Sequence, residues 1–279
     1  MNPSMDDAAE LADRTRGPAG LSALDVASHL KTQTVFDIRV LGSVDSTNSV
    51  ARNLAREGAP EGTVVIAEEQ TKGRGRRGHA FHSPAGSGLY LSIVLRPSIA
   101  PAQAHLLTCL AAVAVSRGAD HVCGCETTIK WINDVYLGDR KVAGILTEGS
   151  SHANGARFEY AIVGMGVNVA DPPDGWPDDV SNRAGSLGMD PLKCDVRSVL
   201  AAGILDEFWR LYEKLPEDTF HAEYRDRCFV LGNPLSISTE DGVLDGVAVD
   251  LDEEYRLVVK LPEGDLRAFS SAEASAVVK

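Results

Sequence analysis

The chain has 279 residues, 44% of them hydrophobic, and carries 40 acidic against 27 basic side chains for a formal net charge of -13. That length and composition fit a soluble globular protein with one large domain, or a large and a small one. The acidic excess argues against a general binder of nucleic-acid backbones, which needs Lys and Arg spread over a face. Asp6, Asp7, Glu10 and Asp13 occupy the place where a secretion signal needs an apolar run, and no stretch approaches 18 uninterrupted apolar residues. A cytoplasmic protein without a membrane span is expected. Five scattered cysteines, Cys109, Cys123, Cys125, Cys194 and Cys228, form no CxxC, so reduced thiols are expected rather than a disulfide framework.

In chain order, residues 1–30 read as a mobile N-terminal segment that ends in a short helix, SALDVASHL, opened by a Ser cap. Residues 31–230 then alternate in period. FDIRVLGSV predicts a strand, STNSVARNLARE a helix with Ser46 or Thr47 as cap, and TVVIAEE a buried strand. LYLSIVLRP predicts another strand, and AQAHLLTCLAAVAVSRGA a long helix stopped near Gly118. TIKWINDVYLGDRKVAGILTEG predicts a hairpin turning at LGDRK, and FEYAIVGMGVNV a further strand. After the proline-rich DPPDGWPDD, helices are expected at about 195–214 and 216–228. From Leu235 the pattern changes to short, evenly spaced strands, so residues 231–279 are expected to form a small β-barrel-like module.

One stretch stands against the overall charge. TKGRGRRGHAFHS places Lys72, Arg74, Arg76 and Arg77 within six positions, interrupted by glycines. Gly73 to Gly78 satisfy GxGxxG, but a dinucleotide fingerprint must open a helix and be followed about 20 residues on by an acid. Here a strand pattern follows, and no Asp or Glu occurs from Gln70 through Ala119. Walker A and kinase signatures are also absent. The bland reading is a solvated hairpin tip. Against it, cations roughly 6–8 Å apart repel by about half a kcal/mol per pair even in water, and a phosphate relieves that repulsion. A glycine-loosened loop, disordered when empty and closing on a phosphate through guanidinium forks, is the expectation.

Three further segments place glycines and polar groups at predicted strand ends. DSTNS offers Ser46, Thr47 and Asn48 at a helix start, where a plain helix cap is the bland alternative. KWIND joins Lys130, Trp131, Asn133 and Asp134, where a strand end with an anchored Trp is the bland alternative. GMGVNV, with Gly164 and Gly166 inside a strand, and Gly144 in a neighbouring strand remove side chains so that another group can approach the backbone.

These motifs in this order, DSTN, GRGRRG, KW-ND, KVAGIL-E, G-GVNV, the RAGSL segment Arg183 to Leu187 and the C-terminal β-module, resemble the biotin protein ligases over about residues 40–279. The resemblance implies an α+β fold: a mixed β-sheet backed by helices, of the class II synthetase-like kind shared with lipoate ligases, and a small SH3-like C-terminal domain. It implies that biotin and MgATP give biotinyl-5'-AMP, from which a lysine of the biotin carboxyl carrier protein of an acyl-CoA carboxylase takes the biotinyl group. By the same resemblance, Lys130 stabilises charge at the α-phosphate and carboxylate, with Arg74 and Arg76 as further catalytic cations and Arg77 on the phosphates. Ser46, Thr47 and Gln70 hydrogen-bond the ureido ring. Gly73, Gly144, Gly164 and Gly166 give backbone proximity, and Asn168, with Asn48, meets the adenine side. Arg183 to Leu187 fold over adenine, and Asp134 holds Mg2+ or accepts a proton. A monomer or weak homodimer is expected.

The sequence departs from the family where Ile132 replaces a usual Pro, His79 a frequent Arg and Phe81 a frequent Trp. Losing the proline is expected to loosen the turn next to Lys130. Only 44 residues precede Asp45, without a paired-helix pattern, so the winged helix-turn-helix of some members is not expected. A lipoate ligase and a non-catalytic biotin-binding regulator remain the alternatives. His121, Cys123 and Cys125 lack a fourth zinc ligand at sensible spacing and are expected in a loop. Cys109 is expected in the core, His82 at the surface, and Trp176, Phe208 and Trp209 in packing.

Overall fold

The computed structural model of the chain describes residues 20–32, 35–153, 155–191, 195–240 and 242–278. Its larger sheet has seven strands: β1 Asp37–Val44, β2 Thr63–Gln70, β3 Gly88–Leu95, β4 Thr128–Lys130, β5 Asp134–Leu137, β6 Arg140–Ser151 and β7 Phe158–Asn168. Their order is β1-β2-β3-β7-β6-β5-β4, parallel between β1 and β2 and antiparallel elsewhere. Period-two alternation divides the side chains between two layers. Val64, Ile66, Leu89, Leu91, Ile93, Ile145, Val163 and Met165 face the main core. Val65, Val94, Tyr160 and Ile162 face the helix Thr47–Arg56 on the other side, where Ala51 and Ala55 pack on them.

The helices are α1 Ala23–His29, α2 Thr47–Arg56, α3 Ala104–Cys123, α4 Val196–Tyr212 and α5 His221–Arg227. Ser22 caps α1 by accepting the Asp25 N–H at 3.0 Å. Leu21, Val26 and Leu30 enter the core, so packed structure begins well before the end of the segment expected to be mobile; residues 1–19 lie outside the described residues.

α3 continues beyond Gly118 and ends at Gly124, whose φ of 63° reverses the chain. Gly118 serves packing instead. A Cβ there would stand 2.7 Å from Ile204 Cγ1, so its absence lets α4 approach. His121 and Cys123 are therefore in the last turn of α3 and not in a loop, and the reversal at Gly124 brings Cys123 and Cys125 to a Cα separation of 5.4 Å, joined in a disulfide. That corrects the expectation of reduced thiols for this pair; Cys109 and Cys228 are free and buried, and Cys194 lies outside the described residues. With the turn before it, α3 is long and apolar enough to pass as a membrane span, but it is the core helix, mostly buried. The last helix is shorter than its expected 216–228, because Asp218 Oδ1 accepts the His221 N–H and starts it there.

Residues from Pro234 onward form a five-stranded antiparallel sheet of the SH3-like kind: β8 Pro234–Thr239, β9 Gly242–Leu251, β10 Leu257–Lys260, β11 Leu266–Phe269 and β12 Ser275–Val278, ordered β11-β10-β9-β8-β12. The architecture is thus α+β, a mixed sheet backed by helices with a small β-module. The β-module touches the larger sheet where Trp131 Nε1 donates to Tyr255 O at 2.8 Å. The turn at Ile132 is held without a proline: Ile132 is buried, and its carbonyl accepts the Tyr224 hydroxyl at 3.0 Å.

Candidate active site

On the α2 side of the sheet the apolar residues Val94, Tyr160 and Ile162 give way to glycine and polar groups. The register pairs Gly144 with Gly166, Leu146 with Gly164 and Ser92 with Gly164, so the glycines of three neighbouring positions leave a slot. A cavity of about 430 Å3 opens over it. A Cβ at Gly164 would stand 2.0 Å from Asn48 Oδ1, and one at Gly166 2.6 Å from the Phe81 ring, so both glycines are needed for what lies above them. Phe81 places its ring across Gly166 and Gly144, the position where the family often carries Trp.

The N-terminus of α2 supplies the floor. Ser46, Thr47 and Asn48 are buried and line the cavity. Ser46 stands at the cap position, but its side chain makes no capping bond, which leaves its hydroxyl for other use. Gln70 Oε1 accepts the Thr47 N–H at 2.9 Å and the Thr47 hydroxyl at 3.1 Å, and Gln70 Nε2 donates to Ser83 Oγ. Ser92 Oγ lies 2.8 Å from Thr47 Oγ1 and 2.6 Å from Asn48 Oδ1. The polar chain fixes which way each amide and hydroxyl points.

Cations meet this floor from two directions. Lys130, Asp134 and Lys141 come from β4, β5 and β6, and Lys141 Nζ is 2.6 Å from Asp134 Oδ1. Burial holds the Lys130 ammonium below the ordinary lysine value, partly offset by Asp134 and reinforced by Lys141 and Arg183. The glycine-arginine loop supplies Arg74, Arg76 and Arg77. It follows a defined course: Gln70 N donates to Ser83 O, Phe81 N to Gly73 O and Gly75 N to His79 O, with a single 3-10 turn at Arg76–Gly78 in place of the helix that a dinucleotide fingerprint needs. Internal acceptors meet the repulsion among its cations. Glu148 takes Arg74, Asn133 Oδ1 and Ser271 O take Arg76, and Ala272 O takes Arg77. Burial and then the Arg77 charge pull Arg76 below the ordinary guanidinium value.

The third wall is the RAGSL segment. Gly185 N donates to Lys141 O, Lys141 N to Arg183 O, and Leu187 N to Asn168 O, which lays residues 183–187 beside β6 and β7. Asn168 lines the cavity and spends its amide on Gly185 O at 2.8 Å, holding this wall in place. Arg183 lines the cavity at its rim. Gly73 does not line it: a Cβ there would meet Phe81 O at 2.3 Å, so this glycine serves the fold of the loop on itself. Trp176 also lines the cavity, its ring 6.3 Å from His82, whereas Phe208 and Trp209 pack in the core.

Sequence reasoning gave no role to Lys141 or Glu148, although both stand in the KVAGIL-E motif, and it missed Ser92 and the residues 274–277 of the β-module; Lys141 and residues 274–277 line the cavity. Lys141 had a signal, a cation three residues before Gly144 in the KVAGIL motif. Asp134, expected as a magnesium ligand, pairs with Lys141 and accepts from Asn133 Nδ2 at 3.0 Å. Among the described residues no three His, Cys, Asp or Glu side chains gather to hold a metal. A lone carboxylate already neutralised by a lysine does not fit a protein-built magnesium cage; Mg2+ commonly arrives on nucleotide phosphates.

The biotin/lipoate A/B protein ligase family matches residues 40–168. The bifunctional ligase/repressor BirA of Bacillus subtilis is 32% identical over 262 residues, 91% of this chain and 79% of that protein. The biotin–[acetyl-CoA-carboxylase] ligase of Mycobacterium tuberculosis is 31% identical over 230 residues, 78% of this chain and 81% of that protein. The solved biotin protein ligase of Aquifex aeolicus in complex with biotin and ATP matches with a TM-score of 0.71 at 28% identity, over 87% of this chain and 99% of that one. Fold, cavity and relatives agree, and the chain belongs to the biotin protein ligases of the biotin/lipoate A/B protein ligase family.

Proposed function

We propose that this chain joins biotin to a carrier protein in two steps at the cavity described above. A biotin carboxylate oxygen attacks the α-phosphorus of ATP, the bond to the β-phosphate breaks, and pyrophosphate leaves. An amine of a carrier lysine then attacks the carbonyl carbon of biotinyl-5'-AMP, the bond to AMP breaks, and AMP leaves with the electron pair. The carrier is the biotin carboxyl carrier protein of an acyl-CoA carboxylase.

One observation carries the reading: a glycine-floored cavity has neutral hydrogen-bonding groups at the start of α2 and at least four cations facing them from β4, β6 and the loop. Biotin has the matching polarity, a neutral ureido ring at one end and an anion at the other. Ser46 and Thr47 hold the ring, with Gln70 fixing Thr47, and Asn48, joined to Thr47 through Ser92 Oγ, stands with them instead of at the adenine side expected for it. Lys130, Lys141, Arg74 and Arg76 face the carboxylate and α-phosphate, where two anions must approach and fixed cations act most strongly in a half-buried site. The RAGSL wall and Trp176 take the adenosine. Asp134 takes the proton of the incoming amine.

The net charge of -13 supports a protein partner over a nucleic acid. We place the reaction in the cytoplasm, on a monomer or weak homodimer.

The test is incubation with MgATP, biotin and a carrier domain, followed by mass spectrometry. One modified lysine and biotin-dependent pyrophosphate release are expected. Release driven by lipoate or octanoate instead of biotin would transfer the assignment to a lipoate ligase, and biotin binding without any release would make the chain a regulator.

A further inference from the structure

Glu148 lies on β6, on the sheet face occupied by Gly144 and Leu146, and its carboxylate collects donors from three residues. Arg74 forks onto it, Nη1 to Oε1 at 3.2 Å and Nη2 to Oε2 at 3.0 Å. Asn48 Nδ2 donates to Oε2 at 2.8 Å, and Arg52 Nη2 to Oε1. Asn48 and Arg52 are four apart on α2, hence on one helix face. Both oxygens are thereby engaged, in a setting where Glu148 is 26% exposed and Arg52 27%.

Two features make this more than a surface ion pair. The first is the space around the loop. Besides the substrate cavity, a second cavity of about 500 Å3 is lined by loop residues, Arg74, Arg76, Arg77 and His79, with Thr108, Thr147 and Glu148. Of the loop residues that these two cavities share, Arg74 makes the loop's charged attachment to the strand that carries Gly144, while Arg76 and Arg77 attach to Asn133 and to carbonyls of the β-module. The second is the Arg74 Nε–H, which is buried and has no partner among the described residues. A buried unpaired donor costs free energy that a bound anion would offset. Two guanidiniums against one carboxylate also leave the cluster one negative charge short.

We propose that Glu148 is a positioning residue for the ligation reaction: it ties Arg74 of the loop to Asn48 of the pocket floor, so that the grip on the ring end of biotin and closure of the loop over the anionic adenylate are coupled. Glu148 acts through Arg74 and does not touch the reacting atoms. Its removal therefore matters most for how long the adenylate is kept. This rests on the cavity being a biotinyl-adenylate site.

The experiment measures release of biotinyl-adenylate from the loaded full-length chain, read as labelling of lysines on a bystander protein, in Glu148→Gln, Arg74→Gln and the double variant. Glu148→Gln is expected to release about tenfold faster than the native chain, and the double variant no faster than Arg74→Gln alone within about twofold, as for two residues acting as one unit. Unchanged release in Glu148→Gln, or additive effects in the double variant, overturns the proposal. Arg52→Gln leaves the Arg74 fork in place and should release within about twofold of the native rate; release as fast as in Glu148→Gln would assign the effect to the charge cluster at large and also overturn it. If the glutamine variant does not fold, Glu148→Asp, which draws the charge back by about 1.5 Å, is read by the same criteria. A native chain that makes no adenylate from biotin sinks the reading of the cavity; a native chain that makes and keeps it while the variants behave additively sinks this inference alone.

Discussion

Lys141 Nζ stands 2.6 Å from Asp134 Oδ1, across a hairpin whose register sets Asp134 opposite Gly144. The pair brings a cation to the edge of the glycine slot and keeps it there. Lys141→Met should lower biotin-dependent pyrophosphate exchange by about a hundredfold, the scale for losing one fixed charge-stabilising donor. Biotin affinity by calorimetry should fall far less.

Lys130 is partly buried, and burial has shifted its ammonium below the ordinary lysine value of 10.5. Its charge is therefore lost earlier on the alkaline side than that of a free lysine. Lys130→Ala should abolish adenylate formation while sparing biotin binding. Lys130→Arg should retain part of the exchange and move its alkaline limb to higher pH, because a guanidinium keeps its proton.

Gly164 has no room for a side chain. The 2.0 Å that a Cβ would leave to Asn48 Oδ1 forces Asn48 away from Ser92 and Glu148. Gly164→Ala should destabilise the fold by about 1–3 kcal/mol, seen as a lower Tm, and should weaken biotin binding. Gly144→Ala, whose Cβ would meet Lys141 Nζ and the Phe81 ring at 3.3 Å, should cost less stability.

Arg76 bonds to Asn133 and to Ser271, and so joins the loop to KWIND and to the β-module at once. Arg76→Gly should let the adenylate escape before transfer, so that bystander lysines become labelled. Tight retention in this variant would remove the loop from its part as a lid.

Acid stability should depend on a cluster remote from the cavity. Arg117 pairs with Glu207 and Glu223, and Arg227 with Glu223 and Asp120, joining α3, α4 and α5. Burial pushes Glu223 up, but Arg117 and Arg227 together hold it below the ordinary value of 4.5, and Arg210 and Arg117 do the same for Glu207. A lowered folded-state value means stability that is complete above about 4.5 and lost as pH falls through the lowered one. Tm should therefore drop on acidification below that point, and Glu223→Gln should lower Tm at neutral pH while flattening the acid limb.

The strand and helix pattern was legible because apolar period and turn residues are local properties. SALDVASHL, FDIRVLGSV and the LGDRK turn all stand where their residues place them. Gly118 shows the limit: as a sequence signal it stops a helix, but inside this core it is the notch that admits Ile204, a residue 86 positions away that no local pattern reveals. The cysteines show another, since CGC becomes a disulfide only through the chain reversal that ends α3. In the site, the loop arginines and slot glycines were readable because their clustering is unusual in an acidic chain. Glu148 stood in the KVAGIL-E motif, but its role was not readable, because a glutamate on a strand gains its meaning from partners 74 and 100 residues away.

What the sequence determined by itself is which chemistry is present: a cationic, glycine-rich loop, glycines inside strands, and hydroxyl and amide groups at a helix start, all fixed by residue type and spacing. The tertiary structure decided where that chemistry points. Strand register set Gly144 beside Gly166 and turned Glu148 toward Arg74, and helix packing brought Asn48 over Gly164. Register and packing arise from the burial of whole faces, a property of the assembled sheet and helices that no single segment contains.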